Sequence, residues 1–523
     1  MARKRIKRKP TYKQMAFETA VRSPERYIEI LAAVSEFEGM VLSNENLLKI
    51  VSTLYINGVV SSNEITITES TTIEEIKDQV QDVNSTRRAD GGFPAGFASR
   101  FWTYMRTPSE LGFVYAQYNE PFKLSEICKK LIKGEIDEQE AFSMQAIKYN
   151  RRNPYRNVSN DFNFFRFILN VLLTLKAKGK SLSYEQFIVA MFSHNGSVNE
   201  FITLLENNTF RDFDEVFDFV TKKYKVNTKF KTITQDYPDV VRRVFIISGF
   251  ITIRFSGKKL IQINESKIEY IQELLKFDFK LSEEEKSNAL SYFSKLDTQN
   301  NALLSLIQTA RKEDIINGEH YVNKIFSIID DYEIDEAIII DSIQKIGSRR
   351  TVIEEFREIP DPLKLEFFIS ILIALKYGKQ YAIRPNYKAD HIGKPYSHAP
   401  GNKGDIEVFS KDIYWLIEVT LIRNKTQQLN HETANVIRHL YSNEEFNDRL
   451  TKYLSFVAPT IHQDVREFFD FSIVKSRSSE YNVSIKPYDL QEFVGITQSQ
   501  TNFEDMQDYT NQVIEDFRNN LRK

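Results

Sequence analysis

Asp405 and Glu418 are spaced to face one another. The stretch from Ala399 to Leu421 reads as two β-strands joined by a tight polar turn at Ser410-Lys411-Asp412. Side chains alternate along a strand, so Ile406, Val408, Trp415, Ile417 and Val419 take one face. Asp405, Glu407, Leu416, Glu418 and Thr420 take the other. A turn centred between Lys411 and Asp412 pairs Phe409 with Tyr414 and, farther along, Asp405 with Glu418. Opposed side chains have Cβ atoms only about 5 Å apart, and like charges there destabilise a sheet unless something positive sits between them. A divalent cation is the natural candidate. Hard oxygen donors on a rigid hairpin suit Mg2+, which keeps waters and takes further ligands from a substrate phosphate. Taken alone, the same pattern also describes a solvated hairpin with two unrelated acids.

Two further acids bear on that choice. Asp361-Pro362 starts a helix and Gly378 stops it, and the residues between are apolar nearly all round, as in a buried helix. Glu366 lies inside that run, where a carboxylate is costly unless it is paired or coordinates a metal. Downstream, residues 427–441 read as a helix with Glu432, Val436 and His439 along one stripe. The order is helix, hairpin, helix, with four acids.

These residues resemble the AlwI-like type IIS restriction and site-specific nicking endonucleases, which carry a divergent PD-(D/E)XK nuclease domain. The resemblance covers most of the chain and is strongest at Glu366, Asp405, Glu418 and Glu432, within Leu-Glu-Phe-Phe, Gly-Asp-Ile-Glu, Ile-Glu-Val-Thr and His-Glu-Thr. It implies that these four acids are catalytic, with Asp405 and Glu418 on Mg2+ and Glu432 helping to arrange metal or water. The general nuclease pattern places lysine two residues after the second acid, where this chain has Thr420; Lys425 and His439 are further candidates, each with a plain surface role as its alternative.

The positions that carry this chemistry sit late in a long chain. With 523 residues it exceeds the size of a single core, so several domains are expected. No run of about 18 apolar residues appears, and the basic start lacks an apolar signal region, so neither a membrane span nor a secretory signal is indicated and a cytoplasmic protein is expected. The single cysteine, Cys128, excludes an internal disulfide framework and cysteine zinc clusters. A net charge of -2 means that nucleic-acid binding must rest on local patches. The run from Arg3 to Lys9 is one; a loop containing Arg87 and Arg88 before Gly91-Gly92 is another, although each also reads as a solvated segment.

A weak internal repeat follows. Gly112-Phe113 leads a strand, a turn, a second strand and a helix; the helix around Asp239 to Arg243 leads to Gly249-Phe250, a strand, a turn at Ser256 to Lys259, a returning strand and a helix from Glu265. Such units suggest winged-helix modules, related to the helix-turn-helix fold, although hairpins between helices are common without DNA. Arg242, Arg243, Arg254, Lys258 and Lys259 cluster where such a module meets DNA.

The expected architecture is multidomain α+β: N-terminal winged-helix-like DNA-recognition domains over 1–280 (about 1–150 and 151–280), a helical linker over 281–345, and a C-terminal α/β restriction-nuclease domain over 346–523. In the last, 454–459 and 471–474 read as further strands. The expected activity is Mg2+-dependent hydrolysis of double-stranded DNA outside a short asymmetric site, one strand per nuclease domain. The resemblance implies a cognate DNA methyltransferase, and a transient homodimer or a small nuclease subunit for double-strand breaks. Two alternatives stand: a DNA-binding regulatory protein with an inactive nuclease-like assembly domain, and a homing or repair nuclease.

Overall fold

The computed structural model describes residues 11–60, 65–68, 71–86, 100–255, 257–310, 318–347, 352–390, 392–399, 403–423, 425, 428–442, 451–476, 482–499 and 501–521. Side chains of 80–86, 308–310, 318–322, 430–432, 442 and 521 lie outside that description. The chain divides into two compact units, Met1–Lys312 and Glu313–Lys523. No helix among the described residues is long and apolar enough to cross a membrane.

In the first unit one order of elements occurs twice, with an extra helix (Ile73–Thr86) inserted in the first copy and two (Val198–Asn207 and Phe213–Tyr224) in the second. The first copy runs α1 (Glu25–Val34), an antiparallel bridge between Val41 and Pro121, α2 (Asn44–Ile56), α3 (Arg100–Leu111), the antiparallel pair β1 (Val114–Tyr115) and β2 (Lys123–Leu124), and α4 (Glu126–Ile132). The second runs α5 (Phe164–Ala177), β3 (Leu182–Ser183), α6 (Tyr184–Ala190), α7 (Tyr237–Ile247), β4 (Ile251–Phe255), β5 (Lys259–Ile263) and α8 (Ile268–Lys276), with its strands ordered β3-β5-β4. The repeat extends to single hydrogen bonds. Gly112 (φ 79°) and Gly249 (φ 65°) take the left-handed conformation that ends α3 and α7. The Phe113 N–H then donates to the Pro108 carbonyl at 2.9 Å and the Phe250 N–H to the Phe245 carbonyl at 3.1 Å, closing the same C-terminal turn. The return strands lock alike, Ser125 N–H on the Phe113 carbonyl and Asn264 N–H on the Phe250 carbonyl, at 2.9 and 3.0 Å. Any β-carbon at these glycines would meet Leu296 or Gln139 within 2.5 Å, so glycine is required twice over. Both copies share one continuous core that includes Leu31, Leu54, Phe142, Phe165 and Phe245.

The second unit is built on a mixed sheet ordered β12-β11-β10-β9-β6. Its strands are β6 (Ala382–Pro385), β9 (Ile406–Phe409), β10 (Ile413–Val419), β11 (Thr451–Ala458) and β12 (Asn482–Asp489); β10, β11 and β12 run parallel, and β9 lies antiparallel to both β10 and β6. A separate two-stranded ladder joins β7 (Lys388–Ala389) and β8 (Pro395–Ser397). The sheet is covered on both faces. Ile406, Val408, Trp415, Ile417 and Val419 enter one core with α9 (Gly318–Asp331), α10 (Glu336–Gln344) and α11 (Asp361–Tyr377). Tyr414 and Leu416 enter another with α12 (Ala434–Ser442) and α13 (Gln463–Ser476), as the period of two requires.

Two expectations need correction. The stretch 281–345 is not a separate linker: Leu303 and Ile307 belong to the first unit's core, while Ile325, Ile328, Ile334, Ile339 and Ile343 belong to the second's. Charge on the outer faces of these helices gives the segment a linker-like composition. Residues 471–474 are helical, within α13; Val465, Phe469, Ser472 and Ile473 form its buried stripe at helical spacing, and Phe471 is 68% exposed.

The boundary can be tested by truncation. A fragment beginning at 346 loses five fully buried isoleucines, each contributing about 1.5–3 kcal/mol, which together rival a typical domain stability of about 5–15 kcal/mol. It should show no cooperative thermal transition by circular dichroism, whereas a fragment beginning at 313 should.

Candidate functional site

The hairpin has the register read from its turn. Phe409 pairs with Tyr414, Val408 with Trp415, Glu407 with Leu416 and Ile406 with Ile417, and the Ser410 N–H donates to the Ile413 carbonyl at 3.0 Å. The ladder stops one residue short of Asp405. There the Asp405 side chain replaces the backbone, its Oδ2 accepting the Val419 N–H at 2.8 Å, and its own carbonyl accepts the Asn386 N–H at 2.8 Å. Asp405 is thereby fixed beside the strand that carries Glu418.

Glu418 is 6% exposed, and its Oε1 lies 2.8 Å from Nδ1 of His439 on α12. The approach to α12 is a π-helical turn, Gln428–Thr433, anchored by Gln428 Nε2 on the carbonyls of Ile422 and Thr460 at 2.7 and 2.9 Å. Glu432 falls in that turn, and its side chain lies outside the described residues. Gly404 supports the geometry: a β-carbon there would lie 2.1 Å from Leu416 Cδ1 and 2.8 Å from Glu418 Oε1.

The third acid of this face has a different fate. Glu407 is buried, its Oε2 taking Arg384 Nε and Nη2 at 2.7 Å each and its Oε1 the Tyr414 hydroxyl at 3.1 Å. Such a clamp makes it a structural ion pair. Glu366 stands on α11, 4% exposed as its apolar surroundings imply, and its Oε1 is bonded to His398 Nδ1. The hairpin therefore fixes Asp405 on the Val419 N–H, next to Glu418 in sequence, whereas the described contact of Glu366 is a histidine. Among the described residues no three His, Cys, Asp or Glu side chains gather into a metal-binding group. As a donor set, carboxylate oxygens on a rigid hairpin fit a hard divalent cation.

Other candidates separate by environment. Thr420 uses its backbone N–H on the Val457 carbonyl at 2.9 Å and its hydroxyl on the Ile422 N–H at 3.2 Å, while Lys425 pairs with Asp464 at 3.2 Å. Arg242 is only 2% exposed, with Nη2 on Asp239 at 2.6 Å, so its expected surface role is corrected: the helix turns it inward to a carboxylate. Arg243 is half-buried with Nε on Asp239 at 3.2 Å, Arg254 is half-buried, and Lys258 is exposed at the β4–β5 turn. Lys259 lies over the Tyr184 ring at 4.6 Å. Arg87, Arg88 and the run from Arg3 to Lys9 lie outside the described residues. His398 and Arg384 were not legible as site residues, since each meets its acid only through the tertiary fold.

Comparison with known proteins adds the following. The family model described as AlwI restriction endonuclease matches residues 109–313 and 293–496. No curated protein matches the chain. Among solved structures, the small subunit (R.BspD6I2) of the heterodimeric restriction endonuclease R.BspD6I is 18% identical, over 33% of this chain and 86% of that one, with a TM-score of 0.26. The BpuJ1 endonuclease binding domain, solved with pyrene- and phenanthrene-modified DNA, is 14% identical over 55% of this chain and 97% of that one, with a TM-score of 0.32.

Gly404→Ala tests the close approach. Overpacking against Leu416 and Glu418 should lower stability by about 1–3 kcal/mol in urea titrations. A variant as stable as the parent would mean that the strand end yields without displacing either neighbour.

Proposed function

The chain belongs to the AlwI restriction endonuclease family, and from that premise we propose the type IIS form of the activity: binding of a short asymmetric DNA site through the first unit and Mg2+-dependent phosphodiester hydrolysis outside it by the second. The observation that carries this reading is the hairpin end, where Asp405 is held on the Val419 N–H beside Glu418, itself held by His439. Asp405 and Glu418 would hold the ion. Bound there, Mg2+ supplies charge neutralisation at the phosphate and a water of lowered pKa. The chain's own part is placement: the Val419 N–H orients one carboxylate, His439 the other, and the buried sheet beneath keeps both from relaxing apart. Glu366 and Glu432 complete the catalytic set in this reading.

The repeated order in the first unit supports winged-helix-like recognition modules, with Arg243, Arg254, Lys258 and Lys259 of the second copy toward DNA and Arg242 in its core. Thr420, where lysine is usual, is the one feature that favours the regulatory alternative with an inactive nuclease domain. Mg2+-dependent cleavage separates the two. A cognate DNA methyltransferase would protect the host's own sites.

Asp405→Ala or Glu418→Ala should reduce cleavage of a plasmid substrate below detection while leaving the Kd for a site-bearing duplex within about three-fold, since DNA affinity rests largely on phosphate contacts in the other unit. Wild-type cleavage by Asp405→Ala would remove the hairpin from the mechanism.

One such centre cuts one phosphodiester at a time, and the strands of a duplex run antiparallel. A supercoiled plasmid with one site should therefore give open circles first, always nicked on the same strand, with linear product dependent on protein concentration through self-association or on an added small nuclease subunit. Linear DNA formed directly at a concentration-independent rate would require a second centre in this chain.

A further inference from the structure

Glu366 is the most enclosed of the described acids of the proposed catalytic set, in a helix whose neighbouring residues Leu365, Phe367, Phe368 and Ile369 are all buried. Its Oε1 meets His398 Nδ1; its Oε2 is buried with no hydrogen-bond partner among the described residues. A buried carboxylate held by one donor depends heavily on that donor. His398 follows β8 directly and stands on the chain that runs on to Asp405.

The far end of that connection returns to the same helix. Asn386 donates its N–H to the Asp405 carbonyl at 2.8 Å and its Nδ2 to the Gly404 carbonyl at 2.7 Å. The next residue, Tyr387, places its hydroxyl 3.1 Å from Ser370 Oγ, one turn beyond Glu366 on α11. Two points on one rigid helix, a turn apart, thus tie down His398 at one end and the Asn386–Gly404–Asp405 contact at the other. Building on the cleavage reading, we propose that His398 is a positioning residue: acting through Glu366, it sets where the chain delivers Asp405 to the carboxylate pair. Partners that orient a metal site's carboxylates typically matter by about 10–100-fold in affinity or activity.

The test is a double-mutant cycle on the full chain. His398→Leu should slow single-turnover cleavage by about 10–100-fold and raise the Mn2+ concentration needed for half-maximal thermal stabilisation, with the Kd for the DNA site unchanged within about two-fold. His398→Asn, which retains an N–H donor near the Nδ1 position, should restore most of both. In a Glu366→Gln background, His398→Leu should add less than about two-fold, because residues acting through one another are not additive. Multiplying effects, a His398→Leu enzyme as fast as the parent, or loss of DNA binding together with cleavage would overturn the proposal. Should His398→Leu fail to fold, His398→Asn against His398→Gln decides: an active Asn and an impaired Gln variant support it, equal rates overturn it. An unaffected Glu366→Gln would also overturn it, whereas a wild-type chain without Mg2+-dependent cleavage would instead refute the nuclease reading on which it rests.

Discussion

A carboxylate removed from water must be given donors, and the second unit is arranged around four that are. Each acid has its own solution. Glu407 receives a guanidinium and a phenol, Asp405 a backbone N–H, and Glu418 and Glu366 an imidazole nitrogen. The difference in donor separates structure from chemistry. An arginine clamp cancels its partner's charge within the protein, whereas a backbone N–H or a ring nitrogen fixes the orientation of a carboxylate. Two positions of the same charge, 407 in the strand and 405 just before it, thus meet different donors, a guanidinium for one and a backbone N–H for the other.

That distinction marks what the sequence could tell. Strand alternation and turn position were enough to give the hairpin register from Phe409–Tyr414 to Ile406–Ile417, since a one-residue slip would have exposed Ile406, Val408 and Ile417. The same alternation put Glu407 beside them, with nothing local to announce Arg384, which arrives from the neighbouring strand β6. Buried Glu366 was legible as needing a partner, but which partner was decided by the fold. Residues 471–474 failed for a different reason: four apolar-rich residues fit a strand or a buried helix, and only the neighbours at 465 and 469 settle the period.

In the first unit the signal was weaker in sequence than in backbone. The two copies keep the glycine that ends the helix, the following phenylalanine and the carbonyl that receives the returning strand, while other side chains differ freely. Those are the positions where conformation, not packing, is constraining: a left-handed turn and a close approach admit glycine alone. Packing positions accept many apolar residues of suitable volume, so a repeat can fade there while its hydrogen bonds persist.

The two cores of the second unit carry one further implication. His439 and Leu416 belong to the side with α12, whereas Glu366 sits on α11, which packs into the core on the opposite face. The carboxylates therefore keep their spacing only while both faces of the sheet are packed, because each face supplies a different orienting partner. Loosening either layer shifts one donor relative to the other by fractions of an ångström, which a positioned site tolerates poorly. Strands β9 and β10 send side chains into both cores, Ile406, Val408, Trp415 and Ile417 to one and Phe409, Tyr414 and Leu416 to the other, so the hairpin that bears the acids is held from both sides.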